Sequence, residues 1–468
     1  MNIPDLTTDV LTPGVIAWEC AIDGIKPEAA ALALKNRPGL IWLDSATEDT
    51  GSWSYLCCDP IAQISAPAGQ AERALSNVSS WINPPPTLLE PEHGPRFKGG
   101  AVGYIAYDAA FDLLPDLTSR HRPVGPATEF GLYDTLIAID HSTERTLIRS
   151  YGIKDAGAPS AEHVAREKIC SLIEDLGRYR SGADRRQSVD WEAVTSREAH
   201  TARIDRAKQY IFEGDIYQAN LAQAFTSMLG NQVDPFDLYL QMRLANPAPY
   251  GAWLDLGARQ IASTSPERLI SLSTGRIAEA RPIKGTCRRS SDPAEDDHLR
   301  NALLVSEKDR AENIMIVDLL RNDLSRVCEP GSVEVPTLCG LETYAGLHHL
   351  TSEVRGTLRR NLEPIDLLRA VFPGGSITGA PKHRAIEIID ELEAGSRGAF
   401  CGSLGYIGFD GAMDFNILIR TVEFMKKQGC MMAGGGITLL SEADKEYDET
   451  LLKGAQILSS TGRSEVAA

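Results

Sequence analysis

No stretch of 18 uninterrupted apolar residues occurs in this chain, and its opening MNIPDLTTDV lacks a basic segment leading into an apolar run. Neither membrane insertion nor a secretory leader is indicated, so a cytoplasmic protein without a membrane partner is expected. Positive charge is also scarce. Against 64 Asp and Glu stand 47 Lys and Arg, a formal net charge of -17 over 468 residues. General affinity for nucleic acid or anionic membranes needs a basic face, and this balance argues against both. Any anionic substrate must therefore meet a local positive site. The nine cysteines include no C-x-x-C pair. The adjacent Cys57 and Cys58 read as small buried residues rather than as metal ligands, and reduced thiols fit a cytoplasm.

What is present is ample apolar material: 43% hydrophobic residues can bury the core of one large or two ordinary domains. Residues 1–178 read as strands and short helices, with loops at Pro84 to Pro86 and at PEHGPRFKGG. The polar stretch 179–196, with its RR pair, reads as a linker to a region 197–468. In FKGGAVGYIAYD, Gly99, Gly100 and Gly103 interrupt an apolar strand, for which a bulge is the commoner reason and close backbone approach the other.

In the second region Ser196 can cap a helix running through Arg203, Ala207 and Ile211 and stopping near Gly214. GDIYQANLAQAF alternates as a strand does, and strands are expected over 251–256 and 260–265. SEKDRAENIMIVDLLRNDLSRVC predicts a long helix buried on most sides, with Asp309 and Glu312 on one face. Those carboxylates also suit an ordinary helix N-terminus. His348 and His349, in a strand over 344–357, point to opposite faces, so one can line a site while the other packs. FPGGSITGAPK is a glycine-rich loop entering a helix, without the spacing of a nucleotide-binding loop.

Two further stretches carry chemistry. EARPIKGTCRR sets Lys284 in a tight turn beside Arg281, Arg288 and Arg289, a cationic neighbourhood that disfavours the ammonium and suits a nucleophilic amine. A basic surface turn is the plainer alternative. In DKEYDETLLKGAQIL, Tyr447, Leu451, Leu452, Ala455 and Leu458 form the apolar side of a helix, while Glu446, Glu449 and Lys453 fall within roughly 60° of each other. Carboxylate oxygens without Cys or His suit magnesium, although a solvated charged face has the same spacing.

With PIKGT, SPER, DRAENIMIVDLLRND, FPGGSITGAPK, AGGGI and EYDETLLK in that order, the chain resembles the chorismate-utilising enzymes, most closely their aminating branch. The resemblance is strong over 196–460 and looser over LDSA, CCDP and FKGGAVGYIAYD. It implies an α+β fold of large antiparallel β-sheets packed together and flanked by helices, with the active site between the sheets. Residue by residue, it implies Lys284 as nucleophile, Glu267 of SPER as general acid and His349 as catalytic histidine. Substrate would be held by Ser376, Arg420, Lys453 and the backbone of Gly434, Gly435 and Gly436. Magnesium would lie on Glu312 and Glu449, with Glu446 as a direct or indirect ligand.

Anthranilate-forming relatives carry alanine where this chain has Lys284 and tyrosine where it has Phe400. Both differences point towards 4-amino-4-deoxychorismate, the precursor of 4-aminobenzoate and folate. No cysteine sits in a glutaminase setting, so ammonia would come from a separate glutamine amidotransferase subunit in a heterodimer. Ser45, Trp53, Pro249 and Tyr250 match positions at which relatives bind tryptophan. Anthranilate formation, isochorismate or salicylate formation, and a non-catalytic regulatory paralogue are the competing expectations.

Overall fold

Strands such as Tyr250–Asp255 and Gln260–Ser265 are buried along nearly their whole length, on both faces. An antiparallel strand loses the usual polar face only when something packs on each side of its sheet. In the computed structural model, which describes residues 6–12, 15–46, 53–82, 94–179, 186–343 and 346–463, the covering layers are a second sheet inside and helices outside.

The first sheet has thirteen strands, and its central order runs Trp53–Cys57, Ile41–Asp44, Tyr250–Asp255, Gln260–Ser265, Thr421–Met425, Gln428–Ile437, Gln218–Met228. The second has ten, ordered Ile283–Arg288, Leu347–Thr357, Ile277–Ala280, Arg268–Leu272, Met413–Asn416, Ser403–Gly408, Gly100–Ile105, Thr128–Tyr133, Ala62–Ala66, with Glu334–Thr343 also on Leu347–Thr357. Segments 1–178 and 197–468 contribute strands to both: Leu43 pairs with Ala252 in one, Val102 with Tyr406 in the other. Within the stretch read as a linker, residues 180–185 lie outside the described residues, as do Pro84 to Pro86. The fold is α+β, two large antiparallel sheets with eleven α-helices among the described residues.

Between the sheets lies a core of Ile41, Tyr55, Val102, Tyr104, Leu254 and Tyr406, in which the Phe97 and Tyr406 rings stand 4.5 Å apart. Each such side chain, fully buried, stabilises the fold by about 1.5–3 kcal/mol. A second cluster joins the outer face of the ten-stranded sheet to helices Ala71–Trp81, Glu307–Ser325 and Pro364–Val371. A third joins the other sheet to helices Pro27–Leu34, Glu162–Arg178, Pro235–Ala245 and Ala443–Thr461.

Local signals hold at the helix ends. Ser196 Oγ accepts from Ala199 N at the start of Arg197–Glu213, and Gly214 closes that helix at φ 87°. Helix faces are less faithful to periodicity. Glu307–Ser325 buries one stripe, Asn313, Ile316, Val317, Leu320, Asp323 and Leu324, and leaves Ile314 exposed rather than being covered on most sides. In Ala443–Thr461 the buried side is Tyr447, Thr450, Gly454, Ile457, Leu458 and Thr461, and Leu452 is 72% exposed. The helix is seated by small residues that let it approach the sheet closely.

The glycines of FKGGAVGYIAYD mark close approach, not a bulge. Gly100–Ile105 keeps an unbroken register with both neighbouring strands, and a Cβ on Gly103 would lie 2.1 Å from the Glu129 carbonyl oxygen. Gly103→Ala is expected to cost about 1–3 kcal/mol through overpacking, read as a lower urea midpoint with an unchanged slope.

Candidate active site

The chain passes from the first sheet to the second at Ser265-Pro266-Glu267 and back again at Ile417 to Arg420. The two crossings are bonded to each other: Ile417 N donates to Glu267 O at 2.9 Å, Thr264 N to Arg420 O at 3.0 Å, and Ser265 Oγ to Ile417 O at 2.6 Å. A crossing continues neither ladder, so its side chains leave the packed faces of both sheets; Glu267, partly buried, and Arg420, exposed, are such side chains. The Arg420 backbone takes the left-handed conformation, φ 50°, and its Nη1 donates to Asn246 Oδ1 at 3.0 Å.

Lys284 lies in a strand, not the tight turn expected of Pro-Ile-Lys-Gly-Thr. In Ile283–Arg288, Ile283 faces Thr351 but Thr286 faces His349, so one extra residue is accommodated at Lys284 and Gly285, the latter at φ 82°. A bulge of this kind re-aims a side chain. Lys284 Nζ donates to Ser376 O at 3.4 Å. The same register sets Thr286 Oγ1 2.8 Å from His349 Nδ1. His348, on the other face, is buried between Thr343 Oγ1 at 2.9 Å and Asp296 Oδ1 at 3.0 Å, a packing role. His349 lies within electrostatic reach of Arg420, and burial lowers its pKa, which favours a neutral imidazole.

Ser376 is buried in the glycine-rich loop, and its hydroxyl lies near enough to Glu267 to favour the charged carboxylate. Across from it run Gly434, Gly435 and Gly436. The strand Thr421–Met425 pairs with Gln428–Ile437 only as far as Met431, so on that side the three glycines are not laddered to it. An open edge of small residues can present backbone N-H groups to an anion. Sequence reasoning missed Gln218, which packs on Gly436 and whose amide has no partner on either polar atom among the described residues. Read only as part of an alternating strand, it carried no signal of its own. A buried, unpaired amide is costly and points to a ligand group or water that completes it.

The helix Ala443–Thr461 brings three of the expected site residues together. Over Gly435 converge Glu446 Oε2, Lys453 Nζ and Glu449 Oε1. Lys453 Nζ pairs with Glu449 Oε1 at 2.6 Å and donates to Gly434 O at 3.0 Å. Glu446 is fixed through Oε1, which accepts from Ser441 Oγ at 2.6 Å, leaving Oε2 towards the site. Glu312 faces Glu446 and Lys284, near enough for both to act on its charge. Among the described residues no three His, Cys, Asp or Glu side chains stand close enough to hold a metal ion unaided. Two converging carboxylates and a third opposite are nevertheless a donor set that fits magnesium, which takes one or two carboxylates with water and substrate oxygens.

Of the arginines near Lys284 in sequence, Arg281 and Arg289 pair elsewhere. Arg281 pairs with Glu342, and Arg289 with Asp296 at 3.0 Å. The charges that act with Lys284 belong instead to Glu267, Glu312 and Glu449. The cationic neighbourhood expected around Lys284 is therefore not formed by Arg281 or Arg289. Burial raises the pKa of Glu267 despite Lys284, the Ser376 hydroxyl and Lys453, all of which oppose it. Burial likewise raises Glu312. Burial opposes ionisation of Glu449, yet its pKa stays below the usual carboxylate value because Lys453, with Lys308 and Lys284, favours the charged form. Phe400 is buried, with the Arg397 guanidinium 5.7 Å from its ring centre.

On the far side of the crossing lies a separate cavity of about 460 Å³, lined by Ser45, Trp53, Pro249 and Tyr250 together with Arg268 and Asp414. Arg268 lies 5.2 Å from the Tyr250 ring centre and bonds Asp414 through Nε and Nη2, each at 3.0 Å. Arg268 lines this cavity, while its sequence neighbour Glu267 does not.

The chain and its fold are similar to known proteins. A family model described as chorismate binding enzyme matches residues 39–459. The aminodeoxychorismate synthase component 1 of Escherichia coli (strain K12) is 41% identical over 364 residues, 77% of each chain. The chloroplastic aminodeoxychorismate synthase of Arabidopsis thaliana is 40% identical over 365 residues, 76% of this chain but 40% of that protein's length. Among solved structures, anthranilate synthase component I from Streptococcus pneumoniae TIGR4 superposes with a TM-score of 0.74 at 29% identity, covering 87% of this chain and 92% of that one.

Because Glu267 titrates higher folded than unfolded, the native state binds the extra proton above the ordinary glutamate value of about 4.3, and stability contributed by this group falls as pH rises from there through its folded pKa. Glu267→Gln should remove that decline. Urea unfolding of both proteins across pH is expected to show the variant gaining relative stability towards alkaline pH; parallel curves would contradict it.

Proposed function

We propose that this chain, which belongs to the chorismate binding enzyme family, acts as an aminodeoxychorismate synthase component 1, turning chorismate and ammonia into 4-amino-4-deoxychorismate and water. The observation that carries the reading is Lys284, aimed by its bulge at Ser376 and ringed by Glu267, Glu312 and Glu449.

Chorismate carries two carboxylates, and Arg420, Lys453 and the open glycine edge supply the local positive and N-H-rich surface that an acidic protein otherwise lacks. Magnesium on Glu312, Glu446 and Glu449 would add Lewis-acid hold on a substrate carboxylate. Lys284, once deprotonated, attacks C2. The two conjugated double bonds shift towards C4, and the C4 hydroxyl leaves as water with the proton from Glu267, which burial keeps available. Ammonia then attacks C4, the double bonds shift back, and the Lys284 amine is expelled from C2. Occupation of C2 by the lysine is what directs nitrogen to C4. The buried Gln218 amide, unpaired among the described residues, can take a hydrogen bond from substrate or ammonia.

Ammonia is read as the product of a separate glutamine amidotransferase, and nine unpaired cysteines suit work in a reducing cytoplasm. Anthranilate formation is the second reading, favoured by the fold shared with an anthranilate synthase component I. One assay separates them. With chorismate, magnesium and ammonium salt, the purified chain is expected to give 4-amino-4-deoxychorismate by mass spectrometry, and none with glutamine alone. Lys284→Ala should lose that product, and Glu267→Gln should lower kcat by about 10²–10⁴-fold. Undiminished 4-amino product from Lys284→Ala would end the covalent role.

The cavity at Ser45, Trp53, Pro249 and Tyr250 is read as a tryptophan effector site, being of a size and aromatic lining that suit an amino acid with a large ring. Titration calorimetry should show saturable heat with L-tryptophan, diminished in Trp53→Ala. A flat trace at high tryptophan would remove this role.

A further inference from the structure

The strand Gln218–Met228 carries the glycine edge of the site on one side: Asn220 pairs with Gly436, Leu221 with Gly435 and Ala222 with Gly434. Its other side is laddered only at the ends, to Gly379–Ala380 through residues 218 and 219 and to Glu192–Ala193 through 225 and 226. In the gap Asn220 N donates to Thr378 O at 2.8 Å. The next two backbone groups meet side chains where a strand would be. Arg397 Nη2 donates to Asn220 O at 2.6 Å, and Glu393 Oε1 accepts from Ala222 N at 2.8 Å. Arg397 and Glu393 complete the patch by bonding each other twice, Nε to Oε2 at 2.9 Å and Nη2 to Oε1 at 2.7 Å.

The remaining arm of the guanidinium reaches the glycine-rich loop: Arg397 Nη1 donates to Ile377 O at 3.0 Å, one residue beyond Ser376. The pair is itself held. Asp108 accepts from Arg397 N at 3.2 Å and from Gly398 N at 2.9 Å, and the Tyr107 ring centre lies 4.6 Å from the guanidinium. Side-chain exposure is 1% for Arg397 and 3% for Glu393. An ion pair buried so deeply gains little stability over apolar residues of the same size, so its value lies in geometry. Arginine's rigid planar fork can hold a carboxylate and two carbonyls at once; lysine's single point charge cannot.

We propose that Arg397 and Glu393 are positioning residues of the active site, acting as a substitute strand that clamps the Ser376 loop to the strand bearing the glycine edge. The clamp sets the Ser376 carbonyl against Lys284 and its hydroxyl against Glu267. The proposal rests on the reading that Lys284 and Glu267 perform the chemistry.

Arg397→Lys tests it, keeping the charge and losing the fork. At saturating chorismate and ammonium, kcat should fall by about 100-fold, the effect of misplacing reacting groups by about 1 Å, with KM for chorismate little changed. The alkaline limb of the kcat profile should also move to higher pH, since Glu267 loses the nearby Ser376 hydroxyl, which favours its ionised form. A purely structural role would move neither the limb nor kcat in a protein that melts as a folded body. Where Arg397→Lys does not fold, Glu393→Gln, which keeps size and an acceptor for Ala222 N, is read in the same way and should show the same limb shift. A folded variant with wild-type kcat and limb overturns the proposal. Wild-type protein that forms anthranilate overturns the functional reading instead, and the clamp is then judged on the anthranilate rate.

Discussion

The short hydrogen bonds that tie Ser265-Pro266-Glu267 to Ile417 through Arg420 hold the rest of the site in register. Two stacked sheets enclose a dry core of tyrosines and leucines, and nothing polar belongs there unless the backbone leaves the ladder. At the paired crossings it does so twice, side by side, and each crossing supplies hydrogen-bond partners to the other. The Glu267 carboxyl group can therefore leave the ladder beside the core, while the Arg420 side chain stays exposed. Lys284 is added from the edge of one sheet, the Gly434 to Gly436 edge from the other, and the last helix closes the third side.

Charge follows the same logic. The chain is strongly acidic overall, yet the groups gathered here alternate in sign: Lys284 among Glu267, Glu312 and Glu449, and Lys453 against Glu449. Close opposite charges limit the field that a buried lysine or carboxylate feels from the distant surface. Protonation inside the site is then decided by neighbours a few ångströms away and by lost hydration. This explains how Glu267 can be raised and Glu449 lowered within one cavity.

Much of this was legible in the sequence. Ser196 and Gly214 punctuate a helix as capping chemistry requires, and the spacing of Glu446, Glu449 and Lys453 put them on one face. What periodicity cannot supply is what covers a face. Leu452 has the right spacing for the buried side and lies outside, because Gly454 and Thr450 let the helix settle on the sheet along a different line. The bulge at Lys284 is set by register against Leu347–Thr357, more than sixty residues away. Arg281 and Arg289, close to Lys284 in sequence but outside its strand, go to Glu342 and Asp296, partners that tertiary packing brings to them. Arg397 and Glu393 gave no signal at all: a charged pair one helical turn apart reads as surface, and only the gap in a distant ladder makes it interior.

The interleaving of early and late strands bears on how the chain is made. Ile41–Asp44 pairs on one side with Trp53–Cys57, but its other edge waits for Tyr250–Asp255. At typical synthesis rates that partner leaves the ribosome about 10–40 s later, roughly two hundred residues on. Gly100–Ile105 waits longer still, for Ser403–Gly408. Two hydrophobic strand edges are thus left open in the nascent chain, and productive folding becomes a race between completing translation and pairing with a neighbouring polypeptide.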